Sequence, residues 1–502
     1  MPTLHDDDEL LLARIGYKQE LRREFSKWST ISYAISILGV LGSVPATFGA
    51  PLAAGGPATA VWCWFLGSIM AFCIGSSVAE LVSAYPTAGG MYFVTKYVVP
   101  EDQVPIFSWI QGWCNLLGQT AGVSSVAYTV SQMLLAAVSM NSKLVDGSYS
   151  YTPTAWDTVR LSIALLIFLG VICSMTTKLL HRIFIWFAPI NNKQPAMWVF
   201  THVTDGSGWG SKLFSFLLGF IAVAWTMTDY DGTTHMSEET HDAAILGPIA
   251  IQSAVVVSGA MGWILTISLC FCLTDYDGIL NTPTGLPAAQ IFLNAGGKTG
   301  GMIMWGHPDG LRICARRGPS ILLVRFTLNT QQANKRTNSP STLSKINSYT
   351  HTPVNAVWFV VFFAIALNCI AIGSTQTATA IFSITAPALD ISYVSVILAH
   401  RIYKHQVSFV EGPFTLDRWG SWINWISISW VLFISTVLFF PPHVPVTAEN
   451  MNYAVFVGLF IAIFALVWWW IDARGKYTGP RTNEYLQEIP TEEYAENYGT
   501  IA

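Results

Sequence analysis

The stretch AWTMTDYDGTTHMSEET runs from Ala224 to Thr240. The run before it, Leu213 to Thr228, carries no charged residue. Asp229 and Asp231 then arrive where a membrane-length element should still be apolar. A carboxylate at bilayer depth is costly and is kept where it has a partner or lines a wet cavity. Either the element ends here at the cytoplasmic surface, or it is broken inside the membrane. Counting from Leu213 puts the pair between mid-span and three-quarter depth, which favours the break.

The rest of the chain agrees with a membrane setting. It has 502 residues, of which 52% are hydrophobic and 11% charged. Mean hydropathy is +0.45. A soluble chain carries roughly twice that charge. No charged residue occurs between Lys27 and Glu80, enough length for two spans joined by the Gly/Pro-rich GAPLAAGGP. The net charge of −4 is spread over loops and tails, with no basic domain, so nucleic acid is a poor partner. The cysteines are scattered. Cys270 and Cys272 have no metal-site spacing, and no disulfide framework is expected. The N-terminal MPTLHDDDELLLARIGYKQELRREFSKW lacks the apolar core of a cleavable signal, so the first span is expected to act as its own insertion signal.

Apolar runs place spans near 28–50, 57–79, 104–140, 158–177, 213–236, 246–273, 353–373, 376–399, 422–440 and 451–471. All are read as helices, because none alternates as a membrane β-strand does. Two further stretches start like spans and fail. After Arg182, IFIWFAPI is cut by NNKQP. After Gly296, GGMIMWG leads into an arginine-rich segment in which the longest apolar piece is Ile321 to Val324.

Basic residues favour cytoplasmic loops. With the N-terminus inside, Lys96, Lys178 and Arg182 fall inside. If both failed stretches cross, Arg401, Lys404, Arg418, Arg474, Lys476 and Arg481 are inside too. Losing one crossing puts these clusters outside. Losing both restores them but moves the acidic SEETHD loop outside.

The stretch AELVSAYPTAGGMY, Ala79 to Tyr92, resembles the signature after the second helix of the amino acid–polyamine–organocation transporters. GSVPATFGAPLAAGGP, the Ala224–Thr240 stretch, HTPVNAVW and EGPFTLDRWG are similar to the fungal amino acid/choline permease branch, which includes permeases for 4-aminobutyrate and for choline. The likeness covers most of residues 28 to 480 and lapses near 187–205 and 306–343. It implies an all-α, twelve-helix membrane fold with two five-helix inverted repeats and broken helices one and six. TDYDG would be the break in helix six, and GVLGSVP, Gly39 to Pro45, its partner in helix one. Unwound backbone at bilayer depth must line a polar cavity. Val44 stands where bacterial relatives typically carry a second glycine, two residues after the first. Helices five and eight are expected to be truncated or replaced, and 306–343 reads like a different frame or an unspliced intron. The expected organisation is a cytoplasmic tail 1–27, a permease domain 28–471 and a cytoplasmic tail 472–502.

Candidate site residues follow. Asp229, Trp225 and Tyr230 would hold an ammonium group, with aromatic faces contributing roughly 0.5–2 kcal/mol. Trp225 matches a substrate-stacking aromatic of the family. Trp225 and Tyr230 could equally be ordinary packing aromatics in a Trp-rich chain, and the alternative for Asp229 and Asp231 is a helix end facing the cytoplasm. Gly42 and Ser43 would offer freed amides to a carboxylate. Asp390, where the family is usually uncharged, would complement a cation or pair structurally. Asp231 matches an often acidic position linked to gating and proton coupling. His235 could relay a proton, though a helix-end hydrogen bond is the commoner role. Glu80 is expected to position the loop after helix two, and Glu238 and Glu239 to form an inner gate or a solvated face.

No nucleotide loop, metal-ligand cluster or serine nucleophile motif is present in the sequence, so no cofactor and no enzyme activity are expected. The reading is a proton-coupled importer of a small amine-bearing solute in the plasma membrane, with membrane lipid as its surroundings. The rival is a non-transporting membrane protein, either a nutrient sensor or a defective permease, because helix eight is not recognisable.

Overall fold

The computed structural model describes residues 26–87, 89–145, 148–173, 193–305, 354–373, 383–447 and 450–480. Within them the chain is helical, apart from a two-residue hairpin of β1 (Leu144–Val145) and β2 (Ser148–Tyr149). The expected all-α membrane class holds. Seven helical stretches of the described residues are long and apolar enough to cross a membrane.

The first expected span is two helices, α1 (Lys27–Leu38) and α2 (Val40–Thr47). The second begins inside α3 (Gly49–Ala84), whose regular geometry is interrupted at Gly56, so Pro57 starts the membrane-length part. After α4 (Gly90–Val98) comes α5 (Val104–Asn141). At 38 residues α5 is about 57 Å long, well beyond the hydrocarbon core. The expected 158–177 span corresponds to α6 (Ala155–Cys173), described up to residue 173. The 187–205 stretch is described from residue 193 and holds only the short α7 (Ala196–Thr201).

The span at 213–236 is composite. It runs through α8 (Lys212–Leu218), capped by the Ser211 side chain on the Phe214 amide, then α9 (Ile221–Met227), then a 3-10 helix (Tyr230–Glu239). The chain continues through α10 (Ala243–Phe271), α11 (Tyr276–Leu280) and α12 (Pro287–Trp305), which is kinked at Gly297. The arginine-rich 306–343 stretch lies outside the described residues. The final helices are α13 (Val354–Ile370), α14 (Thr385–Ile402), α15 (Gly420–Leu438) and α16 (Ala454–Ile471).

Packing makes α3 and α10 the spine, with α1 alongside. The Trp64 indole N–H donates to the Gly259 carbonyl at 3.0 Å, tying α3 to α10. Gly67 lets α9 approach α3: a Cβ there would sit 2.4 Å from Val223 Cγ1. By contrast α16 leaves Phe460, Ile463 and Ile471 exposed, a helix built to face lipid.

The two ends of the bundle differ. At one end the Thr204 amide donates to the Gly55 carbonyl at 3.0 Å, and the Tyr276 hydroxyl to the Leu52 carbonyl at 2.8 Å. Ser215 donates to Asp205 Oδ1 at 2.6 Å, and this bond holds the Asp205 carboxyl below the usual carboxylate range. At the other end Tyr403 donates to Gln103 Oε1 at 2.5 Å, and Ser83 to the Ala244 carbonyl at 2.7 Å. Lys96, Arg401, Lys404, Arg418, Arg474 and Lys476 belong to this second end, which the positive-inside rule assigns to the cytoplasm. Here the described residues after α16, 472–480, fold back on the bundle. Tyr477 turns back to hydrogen-bond Tyr92, and Gly479 packs on Val104 and Ser108.

Candidate functional site

The site begins with two interruptions of helical backbone. In the second, α9 ends at Met227, Thr228 is extended, and Asp229 adopts φ 72°, the left-handed region. The Asp229 carbonyl then accepts from the Gly232 amide at 3.1 Å, starting the 3-10 helix. In the first, Gly39 adopts φ 52° between α1 and α2. The two meet: a Cβ on Gly232 would lie 2.5 Å from Ile37 Cδ1, just before Gly39.

The first break falls at the start of GVLGSVP rather than at Gly42. The amides of Gly42 and Ser43, expected to be freed, donate instead to the Gly39 carbonyl at 3.1 and 3.0 Å. Both residues are buried in the first turn of α2. A helix restarted at Gly39 uses these amides in its own opening turn, which is why they are not left over for a carboxylate.

Side chains after the second break point to two different helices. Towards α5, the Gln119 side-chain amide donates to Asp229 Oδ1 at 3.0 Å, and the Trp225 indole N–H donates to Ser125 Oγ at 3.1 Å. The later residue on α5 meets the earlier one on α9, so the two run antiparallel. Towards α14, the Tyr230 hydroxyl donates to Asp390 Oδ1 at 3.2 Å, and the Thr228 hydroxyl to the same oxygen at 3.4 Å. Tyr393, one turn beyond Asp390, donates to Asp231 Oδ1 at 2.5 Å. The Tyr230 and Tyr393 rings lie 5.3 Å apart between centroids. His235 Nε2 is 3.6 Å from Asp231 Oδ2.

The expected grouping of Asp229, Trp225 and Tyr230 around one ammonium is therefore divided. Asp229 and Trp225 share the α5 side. Tyr230 and Asp390 form a separate pair on the α14 side. There, α3, α9, α14 and α15 enclose a small pocket with Ala71, Met227 and Trp430 among its walls. Its free space is roughly that of a single water molecule.

Glu80 sits elsewhere, at the cytoplasmic end of α3. Its Oε1 accepts from the Leu416 amide at 3.0 Å, pinning the EGPFTLDRWG loop. With its amide oxygen turned towards Arg401, Asn424 accepts from Nε at 2.8 Å and donates to Ser77 Oγ at 2.7 Å. Glu238 and Glu239 close the 3-10 helix, and their side chains lie outside the described residues.

Sequence reading missed Gln119, Ser125, Thr228 and Tyr393. The only signal for Gln119 was a large polar side chain deep in an apolar span. Among the described residues no group of His, Cys, Asp and Glu could hold a metal ion.

A family model described as Amino acid permease matches residues 25–463. An uncharacterized amino-acid permease of Schizosaccharomyces pombe is 41% identical over 507 residues, covering 95% of this chain and 90% of the relative. Amino-acid permease 2 of Neurospora crassa is 33% identical over 94% of this chain and 89% of its own length. The GABA-specific permease of Saccharomyces cerevisiae is 28% identical over 98% of this chain and 88% of its own length.

Proposed function

We propose that this chain, which belongs to the amino acid permease family, is a secondary active importer of a small amine-bearing solute. The solute class includes 4-aminobutyrate, related amino acids and choline, and the driving force is the proton gradient across the plasma membrane. The observation that carries the reading is the carboxylate of Asp229. It sits 8% exposed at the break, held by Gln119, on the α5-facing side that Trp225 shares. A buried carboxylate in a span favours a cationic group next to it. The substrate ammonium would lie between Asp229 and the Trp225 face.

Alternating access follows from the breaks. A substrate bound at the junction of the two half-helix pairs touches elements that move relative to one another. Asp231, Tyr393 and His235 lie on the cytoplasmic side of the break and would serve as the inner gate. Gly42 and Ser43 would shape the cavity wall near the first break. Glu80 would hold the cytoplasmic loop against α3.

The test is uptake of labelled 4-aminobutyrate, neutral amino acids and choline by permease-deficient yeast expressing the full chain, with and without a protonophore. Uptake abolished by the protonophore supports the reading. No uptake of any of them from correctly inserted protein overturns it in favour of a non-transporting membrane protein. If Asp229→Asn leaves choline uptake unchanged while 4-aminobutyrate uptake drops, the cation preference fails.

A further inference from the structure

Asp390 is not explained by substrate binding. Among the described residues, Oδ1 takes both hydrogen bonds, from Tyr230 and Thr228, and Oδ2 takes none. The residue is 7% exposed, and the remaining exposure is into the pocket bounded by α3, α9 and α15. The charged and titratable groups near Asp390 are few. Asp231 and Tyr230 face it from the 3-10 helix, and Tyr393 lies one turn away on α14. The walls from α3 (Gly67, Ala71, Ile74) and from α15 (Trp430, Ile434) carry no ionisable side chain. Among the described residues no lysine, arginine or histidine forms an ion pair with Asp390. A carboxylate so placed needs a positive charge, and the free space beside it is about that of one water molecule.

We infer that Asp390 is the carrier of the coupled proton, bound at Oδ2 in a site separate from the substrate site. The assignment rests on the importer reading above. The Oδ2–H bond forms with a proton taken from hydronium on the outer side, which leaves as water. It breaks by giving that proton to water on the inner side, so the carboxylate ends the cycle as it began.

The link to substrate lies in three consecutive residues. Thr228 and Tyr230 are bonded to Asp390 on α14, and Asp229 between them is bonded to Gln119 on α5. As a carboxylate, Oδ1 holds Thr228 and Tyr230 strongly. As a carboxylic acid, it accepts more weakly. Loading the proton therefore loosens one side of the segment whose other side presents Asp229. A single strained backbone turn transmits one event to the other. Tyr230 and Thr228 are positioning residues in this scheme.

The experiment uses the purified full chain in proteoliposomes, with whichever solute the wild type takes up best in the uptake screen. Two readouts are compared: accumulation driven by an imposed pH gradient, and exchange of labelled for unlabelled solute with no gradient. For Asp390→Asn, pH-driven accumulation should be lost down to the level set by the solute gradient alone, while exchange persists. Asp390→Glu should restore accumulation with a displaced pH profile, a readout that a packing role would not move. Asp390→Asn protein that still accumulates solute under the pH gradient overturns the assignment. So does loss of exchange together with accumulation in folded, monodisperse protein, which would make Asp390 a substrate contact. Asp390→Glu with an unmoved pH profile overturns it as well. Failure of the wild type to accumulate solute under a pH gradient strikes the importer reading itself and is seen before any variant is made.

Discussion

The two breaks solve one problem with different residues. At Gly39 the backbone enters the left-handed region with no side chain, at little steric cost. At Asp229 it enters the same region with a carboxylate attached, where an L-residue costs about 1–2 kcal/mol and aspartate is among the more tolerant. Glycine would have served the second turn better. Strain kept against an easier alternative points to use of the side chain. The first break is thus a backbone device, and on the proposed function the second is a device for presenting a carboxylate.

Asp229→Gly separates the two roles. The substitution relieves the left-handed strain, so thermal unfolding in detergent should move upward or stay level. Uptake should fall by about tenfold to a hundredfold, the worth of a lost charge-assisted contact of about 1.5–3 kcal/mol. Uptake at the wild-type rate would make the second break a backbone device like the first.

The mirror experiment is at Gly39. A valine there meets the left-handed penalty with a β-branched side chain and should lower stability by about 2 kcal/mol. Asparagine, which tolerates this region, should be much milder. Equal damage from both would show that bulk at this position, and not backbone angle, is the constraint.

Tyr393→Phe tests the α14 side. It removes one donor to a buried carboxylate and should cost about 1–3 kcal/mol in thermal unfolding of the full chain. An unchanged melting point would mean that Asp231 finds another donor and the two sides of the break are independent.

The smallest effect is expected where the breaks touch. Gly232→Ala pushes a methyl against Ile37 and should cost about 1 kcal/mol, much of it recovered by adding Ile37→Ala. Strict additivity of the two changes would mean that the breaks are not mechanically joined.

Much of this was legible from residue order, and the exceptions share a cause. Asp229, Asp231 and Asp390 stood out because a charge inside an apolar run is expensive wherever the chain folds. Tyr393 and Gln119 stood out less, because burying an uncharged polar group costs far less than burying a charge, and among serines and threonines they blend into a helix. The first break was located only to a stretch. GVLGSVP offers two glycines and a proline, each able to interrupt a helix. Gly42 looked the better place because it sits beside Ser43 and Pro45. The structure uses Gly39.

What residue order determined by itself was the membrane class, the helical state and the positions where polar groups must be paid for by a partner. These follow from transfer energies and periodicity, which are local. Only the tertiary structure decided which glycine turns, and that Asp229 faces α5 while Tyr230 and Thr228 face Asp390. Residues more than a hundred positions apart, such as Gln119 and Asp229 or Tyr230 and Asp390, meet because helices pack. Adjacent side chains in an irregular turn leave it in opposite directions, and which helix each one finds is set by packing alone.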